Sequence, residues 1–188
     1  FIYRDENEYL TFDCNDETHT KQYTDFVKGI IKIFDLHVGF DMVCCGTIPH
    51  SSGLSSSASF CTGLGFALST LVGKPVKGTD LALACKRVEN EFMGVKSGIM
   101  DQFNICNGVD NGALLLDCNT LKYEEIPFEL GDYVLVIANT NKKRQLADSK
   151  YNERRAECDK VLEIINSNGH NYKYLCDIKE EELDALMP

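Results

Sequence analysis

The 188 residues are 44% hydrophobic and 26% charged, with 14 Gly and 4 Pro, the composition of one folded domain or one and part of a second, not of a disordered, collagenous or membrane chain. Nineteen Lys and Arg against 29 Asp and Glu leave a net charge of −10 and a pI near 4.8 with no basic stripe, which argues against nucleic-acid or anionic-membrane partners. The nine cysteines are odd in number and form no CxxC pair, so neither structural zinc nor a disulfide framework is expected and a reducing, cytoplasmic setting is.

Residues 8–14 (EYLTFDC) suit a strand, and Tyr23, Phe26, Val27, Ile30 and Phe34 then recur at helical spacing up to Gly39. GFDMVCCGTI (39–48) reads as a buried strand, with Cys44 and Cys45 on opposite faces. After the loop PHSSGLSSS, the stripe Ala58, Cys61, Leu64, Leu68 and Leu71 predicts a second helix. Thr79 can cap a third, carrying Leu81, Ala84, Cys85, Val88 and Phe92 and closing at Gly94. Residues 96–107 open on a glycine turn and show no clear period. GALLLDC (112–118) and YVLVIA (133–138) read as strands, the second central in its sheet. A last long helix follows Asn152, with Cys158, Val161, Leu162 and Ile165 on one face and Gly169 past its end. In the closing DIKEEELDALM, Asp177 and Glu180 approximate a capping box. Strands and helices in mixed order, without strict alternation, predict an α+β fold. Cys61, Cys85, Cys106 and Cys118 lie among apolar residues and read as small core hydrophobes.

The segment Pro49 to Ser59 is the most informative, because it joins a strand to a helix. Amides in a helix's first turn have no intrahelical acceptor and sit at the positive end of the dipole, so small residues there can cradle phosphates. Serine hydroxyls add donors and can ligate Mg²⁺; an ordinary serine N-cap is the plainer reading. The loop is neither GxxxxGK[ST] nor GxGxxG. Glu89 and Glu91, on the next helix, offer a carboxylate to a metal at that loop or simply a solvated face. Asp101, among apolar residues after Gly98, is a helix cap or a reagent able to hold a sugar hydroxyl and accept its proton. The polar run Asn139 to Gln145 follows the strongest strand, and Tyr151, with Arg154 and Arg155 a turn on, offers a ring or a phenol. The four histidines are scattered, which leaves a Ser-His-Asp hydrolase unsupported.

PHSSGLSSSAS, then VENEFMGVKSGIMDQF from Val88, then ANTNKKRQLADSKYNERRAEC (138–158) together resemble the galactokinase family, within the superfamily that includes homoserine, mevalonate and phosphomevalonate kinases. The likeness spans about residues 22 to 160. It implies ATP and Mg²⁺ as cofactors, galactose as the small-molecule substrate and transfer of the γ-phosphoryl group to its C1 hydroxyl. It implies Asp101 as the catalytic aspartate, Ser57 and Glu89 as Mg²⁺ ligands, and Gly53, Leu54, Ser55, Ser56, Ser57 and Ala58 as the phosphate cradle. Gly98 and Tyr151, with Asp101, would contact the sugar. It also implies a ribosomal-protein-S5-domain-2-like α/β layer over residues 1–130 and the start of a ferredoxin-like domain over 131–188.

Two features depart from that family's pattern. His50-Ser51-Ser52 stand where glycines are common, and FIYRDENEYLTFDC lacks the opening motif whose arginine pairs with the catalytic aspartate. A start on Phe1 and an end on Met187-Pro188 read as a fragment or processed piece, expected to be inactive or nearly so alone and, through open strand edges and exposed apolar surface, to associate or be marginally stable. A non-catalytic sugar and ATP sensor, or a kinase for N-acetylgalactosamine or galacturonic acid, are the alternatives.

Overall fold

The computed structural model describes residues 2–3, 8–9, 11–16, 18–20, 22–49, 53–138 and 150–186. The chain divides into two units, residues 1–147 and 148–188. In the first, β1 (Ile2–Tyr3), β2 (Glu8–Tyr9), α1 (Tyr23–Ile33), β3 (Val43–Cys44), α2 (Ser56–Leu71), α3 (Gly78–Glu91), α4 (Met100–Asn107), β4 (Gly112–Leu116) and β5 (Tyr123–Pro127) follow in order. In the second, α5 (Lys150–Ser167) precedes two single 3₁₀ turns and α6 (Leu183–Leu186). The fold is α+β.

The helices form where apolar residues recur at helical spacing. Phe26, Val27, Ile30 and Ile31 of α1, Cys61, Leu64 and Leu68 of α2, and Leu81, Cys85 and Val88 of α3 make one buried cluster. Each large side chain buried there contributes roughly 1.5–3 kcal/mol. Close approach needs small residues: a Cβ on Gly29 of α1 would fall 2.7 Å from Val88 Cγ1, so α1 and α3 nearly touch backbone to side chain. A second cluster, Ala82, Ile99 and Phe103, seats α4 on α3 and on Leu114 and Leu116 of β4. Phe103 also meets Tyr123 of β5 edge to face at 5.2 Å. Because α3 packs against α2 and α4, and α2 against α4, the starts of α2 and α4 and one face of α3 converge.

Helix ends differ in detail from the sequence reading. Asp35, at φ +53°, turns the chain out of α1 well before Gly39. Lys77 occupies the N-cap of α3, and Thr79 lies inside its first turn. Leu71 is exposed at the end of α2. In α5 only Ile165 of the expected stripe is buried, while Cys158 and Val161 face outward. At the chain's end, Asp177 Oδ2 accepts from the Tyr174 amide at 2.8 Å and Glu182 Oε2 from the Lys179 amide at 3.0 Å, instead of Asp177 pairing with Glu180.

The strands depart further. Of the expected strand over 8–14, Glu8–Tyr9 form a strand antiparallel to Ile2–Tyr3, and residues 11–14 do not. That over 39–48 reduces to Val43–Cys44, parallel to Ile2–Tyr3, with Val43 70% exposed rather than buried. GALLLDC forms β4 as expected and pairs antiparallel with β5, which the sequence reading missed. Residues 133–138 are not a central strand: no partner pairs with them among the described residues, and Tyr133, Val134 and Val136 are about four-fifths exposed. A β-rich run becomes a strand only where a second strand supplies its hydrogen bonds. All nine cysteines are free thiols; Cys61 and Cys85 are core residues, Cys106 is half-buried, and Cys118 is exposed, contrary to expectation.

Candidate active site

The serine loop enters α2 through two left-handed residues, Gly53 at φ +78° and Ser55 at φ +54°. Gly tolerates that geometry; a serine there is uncommon and is held by its surroundings. Ser55 is the N-cap position, but its side chain makes no capping hydrogen bond; its carbonyl accepts from the Ser59 amide at 2.9 Å. The plain serine-cap reading is therefore set aside, and the amides of Ser56, Ser57 and Ala58 keep the outward geometry that suits an anion. Ala58 turns its methyl into the core, and Ser56 and Ser57 are half-buried.

One turn of α3 presents Glu89 to this loop. The solvated-face reading fails for Glu89, which is 6% exposed, and holds for Glu91, which is exposed and pairs with Arg87 Nε at 2.9 Å. Ser97 Oγ donates to Glu89 Oε2 at 2.9 Å. Burial pushes the Glu89 carboxyl above its ordinary value and the charge of Asp101 pushes the same way, while Ser97, Ser57 and Gln102 beside it pull down. None of them closes a hydrogen bond on Oε1, which is buried without a partner. An orphaned buried oxygen costs roughly 1–3 kcal/mol, more when charged. A hard divalent cation resolves that cost, and a carboxylate beside a hydroxyl is a donor set that Mg²⁺ accepts while keeping waters and phosphate oxygens. The pair fits such an ion. Among the described residues no group of three or more His, Cys, Asp or Glu is placed to hold a metal.

Asp101 is the second residue of α4, where the positive end of the helix dipole favours an anion. It is not the cap: Ile99 occupies that position. Asp101 lines a cleft of about 600 Å³ together with Gly53, Leu54, Ser55, Phe103 and Leu114. Phosphate-type loop and carboxylate thus share one cavity, 46 residues apart in the sequence. Gly98 lies exposed in the irregular segment between Ser97 and α4. Tyr151 belongs to the second unit, half exposed in the first turn of α5, where Arg155 Nε pairs with Asp159 at 3.0 Å and Arg154 with Glu157. His50, Ser51, Ser52 and the run 139–145 lie outside the described residues.

Two residues here were not singled out from sequence. Ser97 anchors Glu89, and Gln102 stands beside it, 1% exposed. The available signal was an amide inside an otherwise apolar helix face, between Ile99 and Phe103.

Residues 25–108 match the family model described as GHMP kinases N terminal domain. The galactokinase of Fusobacterium nucleatum is 43% identical over 182 residues, covering 94% of this chain and 46% of that protein. That of Streptococcus suis is 47% identical over 163 residues, covering 84% and 40%. The chain is homologous to galactokinases across most of its length. The crystal structure of Lactococcus lactis galactokinase complexed with galactose superposes with a TM-score of 0.80 at 40% identity, over 93% of this chain and 46% of that one. The chain spans about half the length of the curated galactokinases it matches. No helix among the described residues is long and apolar enough to cross a membrane.

Proposed function

We propose that the full-length protein carrying this chain is a cytoplasmic, Mg²⁺-dependent kinase that transfers the γ-phosphoryl group of ATP to the C1 hydroxyl of galactose. The observation that carries this reading is the shared cleft: the left-handed loop Gly53 to Ser55 and the Asp101 carboxylate line one cavity. The galactokinase homology supports the substrate, and the relative solved with galactose supports the sugar as ligand. Nine free thiols support a reducing compartment. A net charge of −10 favours a small-molecule partner over nucleic acid or an anionic membrane.

In this reading the amides and hydroxyls of residues 53–58 hold the ATP phosphates. Asp101 receives a charge-assisted hydrogen bond from the sugar hydroxyl and accepts its proton. As it does so, the C1 oxygen bonds to the γ-phosphorus and the bond from that phosphorus to the β–γ bridging oxygen breaks, giving galactose 1-phosphate and ADP. Gly98 contacts the sugar beside Asp101, and the resemblance gives Tyr151 the role of a further sugar contact. Ser57 and Glu89 would hold Mg²⁺, which when bound neutralises phosphate charge. Residues 1–130 would contribute to the N-terminal kinase domain and 131–188 open the next. A titration of ATP with and without Mg²⁺ tests the site: metal-dependent binding that Ser57→Ala weakens supports it, and metal-independent binding contradicts it. A substrate panel of galactose, N-acetylgalactosamine and galacturonic acid tests the sugar.

A further inference from the structure

Only three buried side-chain nitrogen or oxygen atoms lack a hydrogen-bond partner among the described residues, and all three lie in one place: Glu89 Oε1, Gln102 Nε2 and Gln102 Oε1. Buried amides are nearly always paired, so two neighbouring side chains orphaned together mark a site whose hydrogen bonds close only when it is filled. Packing alone does not account for Gln102. The face of α4 around it is apolar, with Ile99 and Phe103 in the second core cluster, and a leucine or methionine would fill the same volume without an orphaned amide.

We propose that Gln102 is a positioning residue for Glu89. Its Nε2 is the donor that the Glu89 carboxylate lacks, opposite Ser97 Oγ, which already holds Oε2 at 2.9 Å. Once that second bond closes on the filled site, the carboxylate is held from both sides and has one orientation in which to meet a divalent cation shared with Ser57. Gln102 Oε1 remains to accept from a water, the natural companion of Mg²⁺. Since Asp101 and Gln102 are consecutive in the first turn of α4, that turn sends one side chain to the cleft and the next to the metal carboxylate. The position of the sugar-facing carboxylate and the orientation of the metal ligand are thereby fixed by the same turn.

The inference rests on the proposed metal site, and the test separates the two. Mn²⁺ is titrated into the full-length protein saturated with ADP, which needs no turnover, for the wild type, Gln102→Met, Gln102→Leu, Gln102→Asn and Ser57→Ala. The two apolar variants guard against one packing poorly. The expected result is Mn²⁺ affinity reduced about tenfold or more in Gln102→Met and Gln102→Leu, with partial recovery in Gln102→Asn and metal-free ADP affinity and melting temperature preserved. Mn²⁺ affinity within twofold of wild type in both apolar variants, with Ser57→Ala impaired, overturns the role of Gln102 and leaves the metal site standing. Unchanged affinity in Ser57→Ala as well overturns both.

Discussion

Ser97 Oγ holds one oxygen of Glu89 at 2.9 Å and leaves the other buried without a partner. An anion so placed destabilises the metal-free fold, since burial pushes its carboxyl up. Glu89→Gln keeps the shape and the Ser97 contact and removes the charge. It is expected to raise the metal-free melting temperature by about 2–4 °C, the equivalent of ~1 kcal/mol, while abolishing metal-dependent ATP binding. A variant that melts lower than wild type in EDTA contradicts this account of Glu89.

Gly29 marks the tightest helix crossing. Gly29→Ala places its methyl 2.7 Å from Val88 Cγ1 and 3.0 Å from Phe92 Cγ, both in packed surroundings. Overpacking of this kind costs about 1–3 kcal/mol. Urea unfolding should show that loss with an unchanged slope; a loss under about 0.5 kcal/mol would mean that α1 and α3 separate freely, against the packing described.

Lys28 of α1 is buried, and its ammonium donates to Asp16 Oδ2 at 2.7 Å and to the Thr18 carbonyl at 2.9 Å. The Lys28 hydrogen bond, followed by those from Thr18, holds the Asp16 carboxyl well below the ordinary carboxylate range. A group whose folded value is depressed stabilises the fold above its unfolded value, near 4, and loses that contribution as pH falls below it. Asp16→Asn should therefore lower stability at pH 7 and flatten the acid limb below about pH 4. An acid limb identical to wild type would show that the pair contributes nothing.

The run Tyr133 to Ile137 presents five large side chains to solvent. Such an apolar stretch, with no strand partner among the described residues, is a template for association. The 188-residue chain is expected to self-associate at micromolar concentration, and Val134→Lys with Val136→Lys to reduce it. A monomer by light scattering at those concentrations would contradict the expectation.

The same run marks where sequence reading stops. The helices α1 to α3 were legible because their buried side chains recur on one face, so that the local pattern and the packing agree. Residues 133–138 carry as strong a local signal, but pairing is a property of two segments, and only one is present among the described residues. The hairpin strand β5 went unread because every residue of Tyr123–Pro127 is exposed, which leaves no alternation to detect. At the site, the serine loop and Asp101 were legible as chemistry, and resemblance supplied the link between them. The burial of Glu89 was not legible, since Arg87, Asn90 and Glu91 around it are polar, Val88 already accounts for the apolar stripe, and only the packing of α3 on α2 and α4 decides its environment. Gln102 was hidden for the converse reason, an amide whose apolar neighbours made it pass for packing.

In the proposed function, Asp101 and the serine loop form one phosphoryl-transfer site. Galactose-dependent ADP release by the full-length protein with Mg-ATP, beside its Asp101→Asn variant, tests it most directly. Release in the wild type and a loss of about 10²- to 10⁴-fold in the variant are expected, with ATP binding retained. Release within about threefold of wild type in Asp101→Asn would contradict it.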